Sequence, residues 1–226
     1  MSREEPTAVA ALESAGKRPR ATAARSAQPR QLRPTDVKRL NRQWRRNTHA
    51  RLALLLDSVT QPFNMGSIIR SAAAFGVERV WLAGNSSSPS HPSTRKTSLG
   101  TERMISFEEE PSAAAAAKAA AAAGYRVVAI ELAAGAVALH DAALDGDICL
   151  ALGNEDHGCS PALLAAADAV AYIPQVGRVG SLNVAVAAAV ALAEARRREW
   201  AARDSPPAAG LAAPGDEQGA NGQEVS

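Results

Sequence analysis

Short runs of uninterrupted apolar residues alternate along the chain with stretches in which apolar positions recur every three or four residues. LALLLD (52–57), ERVWLAG (78–84), MISFE (104–108), YRVVAIE (125–131), ICLALG (148–153) and AVAYIP (169–174) predict strands. MGSIIRSAAAFG (65–76) has helical spacing through Ile68, Ile69, Ala72 and Ala73 and stops at Gly76, with Asn64 where an N-cap belongs. PSAAAAAKAAAAAG (111–124) opens with proline, closes with glycine and is otherwise built from the strongest helix former. SPALLAAAD (160–168) predicts a short helix with a Ser N-cap, and SLNVAVAAAVALAEARRREW (181–200) a long one opened by Ser181, with cations in its last turns. NSSSPSHPSTRKTSLG (85–100) reads as a loop from its Pro, Ser and Gly content.

The strand runs are apolar throughout, so both faces of each strand must be buried. Strands alternating with helices then predict an α/β fold: a mostly parallel sheet covered by helices on both faces. Residues 1–34 and 204–226 carry no apolar period and are expected to be flexible tails, the first of them basic. One domain is expected over 35–203, with a basic helical extension at its N-terminal side.

Composition narrows the class. Of 226 residues, 46% are hydrophobic, enough for a real core. The longest uncharged apolar stretch in the C-terminal half, 184–193, is half the length of about 20 residues that a membrane helix needs. No basic segment followed by an apolar one marks a secretory signal, and Cys149 and Cys159 make no disulfide scaffold, so a reducing cytoplasm is expected. The cysteines and histidines show no metal-ligand spacing, and no metal is expected. Cys149 and Trp81, inside apolar strands, read as core.

The net charge of +2 divides unevenly: residues 1–50 carry +8 and residues 51–226 carry −6. VKRLNRQWRR (37–46) sets Trp44 among the cations Lys38, Arg39, Arg42, Arg45 and Arg46. Such a segment suits phosphates, with an aromatic to stack on a base, or is simply a solvated helical arm.

The glycine-rich fingerprints of dinucleotide and nucleoside-triphosphate sites are absent. Three other segments stand out, each following an apolar strand. In Asn64–Arg70, Gly66 permits close approach of a backbone or ligand, and Arg70 either clamps a phosphate or pairs with a surface carboxylate. In Leu152–Gly158, a polar turn bracketed by glycines sits where α/β sheets collect ligands, with Glu155 and Asp156 able to orient a hydroxyl or amine. In Ile173–Asn183, two glycines frame a loop before a helix start whose N–H groups either bind a polar ligand or are merely capped.

Taken together, NMGSIIRSAAAFGV, LALGNEDHG and YIPQVGRVGSLNVAVAAAVAL resemble motifs 1, 2 and 3 of the SpoU/TrmH family of RNA ribose 2′-O-methyltransferases, in the SPOUT superfamily, with matching order and spacing across 52–198. KTSLGTER (96–103) resembles the family's region between motifs 1 and 2. The resemblance implies a C-terminal deep trefoil knot that binds S-adenosylmethionine (SAM). It implies cofactor contacts at Gly153, Ile173 and Leu182, with Ser181 and Asn183 beside them and loop 175–180 folded over. It also implies a homodimer in which the partner's motif 1 completes the site, with 184–195 as a plausible interface.

Arg70 is implied as the main catalytic residue, with Asn64 shaping motif 1 and Glu155 orienting RNA or cofactor. Arginine is a poor general base, so a clamp on the phosphate and stabiliser of the developing alkoxide is the preferred role. The expected substrate is structured RNA, tRNA before rRNA, because residues 1–50 are too short for a separate RNA-binding domain. Arg42, Arg45, Arg46, Arg95 and Lys96 are the further RNA-contact candidates. Gln175 and Cys159 stand where more apolar residues are expected, and His157 reads as an exposed loop histidine.

Overall fold

The computed structural model describes residues 30–202. The two tails expected from sequence therefore lie almost wholly outside the described residues. The elements are α1 Pro34–Arg46, β1 Leu52–Asp57, α2 Pro62–Ala74, β2 Arg79–Ala83, α3 Pro92–Ser98, β3 Ser106–Glu110, α4 Ala113–Ala122, β4 Arg126–Ile130, β5 Val137–Ala138, β6 Ile148–Leu152, α5 Pro161–Ala166, β7 Ala169–Tyr172 and α6 Val184–Ala201. The strands form one sheet in the order β3-β2-β1-β6-β4-β7-β5, parallel at every pairing.

The two-residue period of the strands separates two cores. Leu52, Leu54, Leu56, Val80, Leu82, Ile148, Leu150 and Leu152 face one side and pack with Met65, Ile68, Ile69 and Ala72 of α2 and with Ala188, Ala191 and Leu192 of α6. The opposite side carries mostly small residues, Ala53, Ala83, Ala129, Cys149 and Ala151, and meets Ala113, Ala116, Ala117 and Ala120 of α4. Small residues on both surfaces let this helix lie close to the sheet, while Leu55 and Trp81 fill the remaining volume. Trp81 is fully buried with its indole N–H donating to Glu108, and Cys149 is fully buried, so both belong to the core as expected.

Several boundaries differ from the sequence reading. The segment 85–100 is not all loop: Pro92–Ser98 is helical, with Pro92 in the first turn and His91 accepting from the Ser93 amide. Tertiary contact supplies the reason. Gly66 of α2 has no side chain, and a Cβ there would collide with the Thr94 carbonyl oxygen, so α3 lies directly on the α2 backbone. Helix α2 begins at Pro62 with Gln61 as N-cap, which places Asn64 inside the first turn and not at the cap. Asn183, not Ser181, caps α6, accepting from Ala185 and Val186 amides. β3 runs two residues later than expected, leaving Met104 exposed, and the short edge strand β5 was not anticipated.

The basic segment forms α1, and Trp44 is not free to stack on a base. Its ring lies 4.5 Å from that of Trp200 near the end of α6. The Trp200 indole N–H donates to Thr48 (3.0 Å), and Glu199 accepts the amides of His49 (2.6 Å) and Ala50 (2.9 Å).

Candidate functional site

The three sequence segments meet at the C-terminal ends of β1, β6 and β7. They are joined by a chain of side-chain hydrogen bonds. Asn183 Nδ2 donates to Asn64 Oδ1 (2.9 Å), and Asn64 Nδ2 donates to Glu155 Oε1 (3.0 Å). Glu155 also accepts from the Gln61 amide at 2.9 Å, and from the Thr60 amide and hydroxyl at 3.1 and 3.3 Å. Both carboxylate oxygens are thus committed to the loop before α2. Burial works against the Glu155 charge, but the donors from Asn64, Gln61 and Thr60 outweigh it and hold the carboxyl below its ordinary range.

That direction gives a pH prediction. The depressed carboxyl stabilises the β1–β6 loop junction above the ordinary glutamate range, near pH 4.3, and this contribution is lost as pH falls through the lower folded value. Amide chemical shifts of Thr60 and Gln61 should therefore titrate together below the ordinary range. Glu155→Gln should abolish that inflection and weaken the junction at neutral pH, because an amide nitrogen must then face a backbone donor.

The turn of the second segment is wound on Asn154. Its backbone pairs with Gly158 in both directions at 2.9 Å, its Oδ1 accepts from Asp156 and His157 amides, and its Nδ2 donates to the Ser58 carbonyl (2.8 Å). Gly153 is pressed so tightly against Gly158 and Cys159 that a Cβ would overlap their backbone. The far end of the turn is held by Glu131, whose carboxylate accepts from the Cys159 amide (2.8 Å) and the Leu132 amide (2.9 Å). Glu131 escaped the sequence reading. An acid closing an otherwise apolar strand, where such sheets collect ligands, was the available signal.

Gly153, Ile173, Ser181 and Leu182 line one cavity of about 320 Å³, together with Glu131, Glu155, Asp156 and His157. Asn64 and Asn183 open instead onto an adjoining groove between α2 and α6 that includes Val186 and Val190. Arg70 lines neither; it is exposed on α2, and among the described residues it has no ion pair and no hydrogen bond. Arg42, Arg45, Arg46 and Lys96 are exposed as well, while Arg95 lies 3.6 Å from Glu102. Gln175 is exposed on the loop beside the cavity. Cys159 is buried among apolar residues, where its thiol is pushed upward by burial and by the neighbouring carboxylates of Glu131 and Asp57. It serves as the apolar residue expected there. No cluster of metal ligands and no helix long and apolar enough to cross a membrane occurs among the described residues.

Residues 51–193 match the SpoU rRNA Methylase family. The chain belongs to this family. A similar curated SpoU relative is the 23S rRNA (guanosine-2′-O-)-methyltransferase RlmB of Acinetobacter baylyi, 34% identical over 67% of this chain and 62% of the relative. Among solved structures, the SpoU methyltransferase AviRb of Streptomyces viridochromogenes in complex with AdoMet is 32% identical, with a TM-score of 0.60 over 67% of this chain and 59% of that one. A chain from work on the 2-OH methylation of C/U34 on tRNA is also 32% identical, with a TM-score of 0.60, and is covered over 99% of its length by 68% of this chain. The present chain spans about half to three fifths of the length of the curated relatives it matches.

Proposed function

We propose that the chain is a SAM-dependent RNA methyltransferase acting on a ribose 2′-hydroxyl of structured RNA, tRNA before rRNA. The observation that carries this reading is the Asn183–Asn64–Glu155 hydrogen-bond chain, which gathers three separate segments around one cavity. The cavity suits the cofactor by charge. Three carboxylates, Glu131, Glu155 and Asp156, line it and, among the described residues, no lysine or arginine does, which favours a cationic donor and disfavours phosphate-bearing cofactors. SAM supplies a methyl group on a positively charged sulfur with a neutral leaving group. Gly153, Ile173, Ser181 and Leu182 would hold it, with Asn183 fixing the start of α6.

The chain's own work is then to orient the ribose and stabilise its oxygen. Arg70, exposed and unpaired, clamps the neighbouring phosphate and stabilises the developing alkoxide. Asn64 and Glu155 fix the loop that carries α2, and so aim that guanidinium. Arg95, Lys96, Arg42, Arg45 and Arg46 extend the contact with RNA phosphates.

Arg70 stands apart from the cavity within one chain, which supports a homodimer in which Arg70 of a second copy meets the cavity. Exposed Phe63, Val186 and Val190, flanking the α2–α6 groove, supply an apolar face for that contact. The reading includes a C-terminal deep trefoil knot and a cytoplasmic location. It also keeps a methyltransferase domain at 35–203.

Labelled SAM with purified protein and total RNA tests the reading: label should appear in ribose-methylated nucleosides of tRNA. Label in rRNA alone would favour the activity named for the RlmB relative. Label in bases would replace ribose chemistry, and RNA binding without transfer would leave a non-catalytic binding protein.

A further inference from the structure

Helix α1 divides cleanly by charge. At about 100° per residue, Lys38, Arg39, Arg42, Arg45 and Arg46 fall within an arc of about 120°, and Leu40 and Trp44 fall opposite them. All five cations are exposed, whereas Leu40 and Trp44 are half-buried. Among the described residues, only Arg39 of these five has an ion-pair partner, Asp36 at 3.8 Å.

What the face lacks is equally informative. The one aromatic ring of α1 is committed to Trp200, so no ring stands among the cations to stack on an unpaired base. The apolar stripe is covered at Trp44 and half-buried at Leu40, leaving Val37 exposed, too little apolar surface for a helix lying on a membrane. The helix is held in place: the ring pair, the Trp200–Thr48 bond and the two amides on Glu199 fix its C-terminal end to α6. A fixed row of cations about 12 Å long, from Lys38 to Arg46, with no stacking surface, matches a phosphate backbone of regular geometry.

We propose that α1 is a duplex-reading arm: it binds the backbone of a double-stranded stem of the RNA substrate, without base readout, and Trp200 is its positioning residue. The proposal rests on the RNA methyltransferase reading above. Asn183 caps one end of α6 and Trp200 lies near the other, so the 18 residues of α6 set the arm about 27 Å along the helix from the junction of the three segments. The stem gripped by the arm is accordingly not the nucleotide being modified, but a helical part at a distance from it.

The test compares binding of a short RNA duplex and of its separated strands to the full chain over a range of salt concentrations. The duplex should bind more tightly than either strand. Arg42→Ala/Arg45→Ala/Arg46→Ala should weaken duplex binding at least about tenfold at low salt. It should also reduce the salt slope by about 2 to 3, at about 0.9 per lost phosphate contact. Trp200→Ala should lower duplex affinity with the same loss of slope, and Trp200→Phe should restore both. SAM affinity, measured on the same samples, should be unchanged in the arginine variants.

Equal binding of single strands, or an unchanged slope in the triple variant, overturns the arm. Methyl transfer to total RNA is measured in parallel. Transfer without duplex preference sinks the arm and leaves the enzymatic reading standing, and duplex preference without transfer does the reverse.

Discussion

Arg70→Ala is expected to lower methyl transfer by about 10²–10³, the usual effect of removing one preorganised electrostatic stabiliser, with SAM affinity unchanged. The side chain lies six residues past Asn64, about 9 Å along α2, on the solvent side of the helix. It packs into neither the cavity nor the α2–α6 groove, and it neutralises no carboxylate among the described residues, so its removal should cost little stability. The helix carrying it is fixed at its start by Asn64 and Glu155 and along its side by the close approach of α3 at Gly66. On the proposed reading, so firmly held a helix presents the guanidinium to the RNA phosphate. Arg70→Lys should recover only part of the rate, because an ammonium loses the bidentate geometry. Single-turnover transfer and calorimetric SAM titration separate the outcomes: equal loss of both would make Arg70 a structural residue.

The sheet was legible because its physics is written in one dimension. Six apolar runs without alternation predict strands of a covered parallel sheet, and all six are strands of one parallel sheet; burial on both faces holds for the central β1 and β6 but not for the edge strand β3, which has no buried residue. Local chemistry also placed Ser160 as a cap and Pro161 in a first turn, whereas α4 opens at Ala113 on a Ser112 cap and not at Pro111. Where the reading slipped, a contact distant in sequence decided the matter. The Pro- and Ser-rich segment holding α3 looks like a loop by composition, yet it is helical where it docks on Gly66. Asn64 has the residue type of an N-cap, but Pro62 starts the helix earlier and frees the Asn64 amide to bridge Asn183 and Glu155.

The same limit applies at the site. Glu155 could be singled out by its position after a strand, but not its three bonds to the loop before α2 and its fourth to Asn64 in the first turn, which are set by the pairing of β1 with β6. Trp44 among cations is indistinguishable in sequence from a base-stacking residue; only its contact with Trp200 excludes that role. Glu131 carried no family pattern, and its work on the Cys159 amide depends on the neighbourhood of β4 and the second segment.

The stability of α6 supports the second large effect. Arg196 is 4% exposed and its guanidinium makes four hydrogen bonds. It donates to the carbonyls of Phe75 (2.8 Å), Ala50 (2.8 Å) and Gly76 (3.2 Å) and pairs with Glu199 at 2.7 Å. Three separate pieces of chain, the α1–β1 link, the end of α2 and α6, therefore close on one cation. Arg196→Ala should destabilise the fold by about 3–5 kcal/mol, because it leaves three carbonyls without the Arg196 donor and removes the Arg196–Glu199 pair. For a chain of this size, that corresponds to a fall in Tm of about 6–20 °C.

Lysine should rescue little, since one ammonium on a flexible stem cannot reach carbonyls on two sides at once. The α1 anchor uses Glu199, so Arg196→Ala should also loosen α1, read as faster exchange of the His49 and Ala50 amides below the melting temperature. Asn183 starts the same helix at the functional end, so the loss should reach the junction as well. The measurement is thermal unfolding followed by circular dichroism, together with amide exchange. A variant that melts within about 2 °C of the parent, equivalent to less than about 1 kcal/mol, would show that the carbonyls find water instead and that the cation is dispensable.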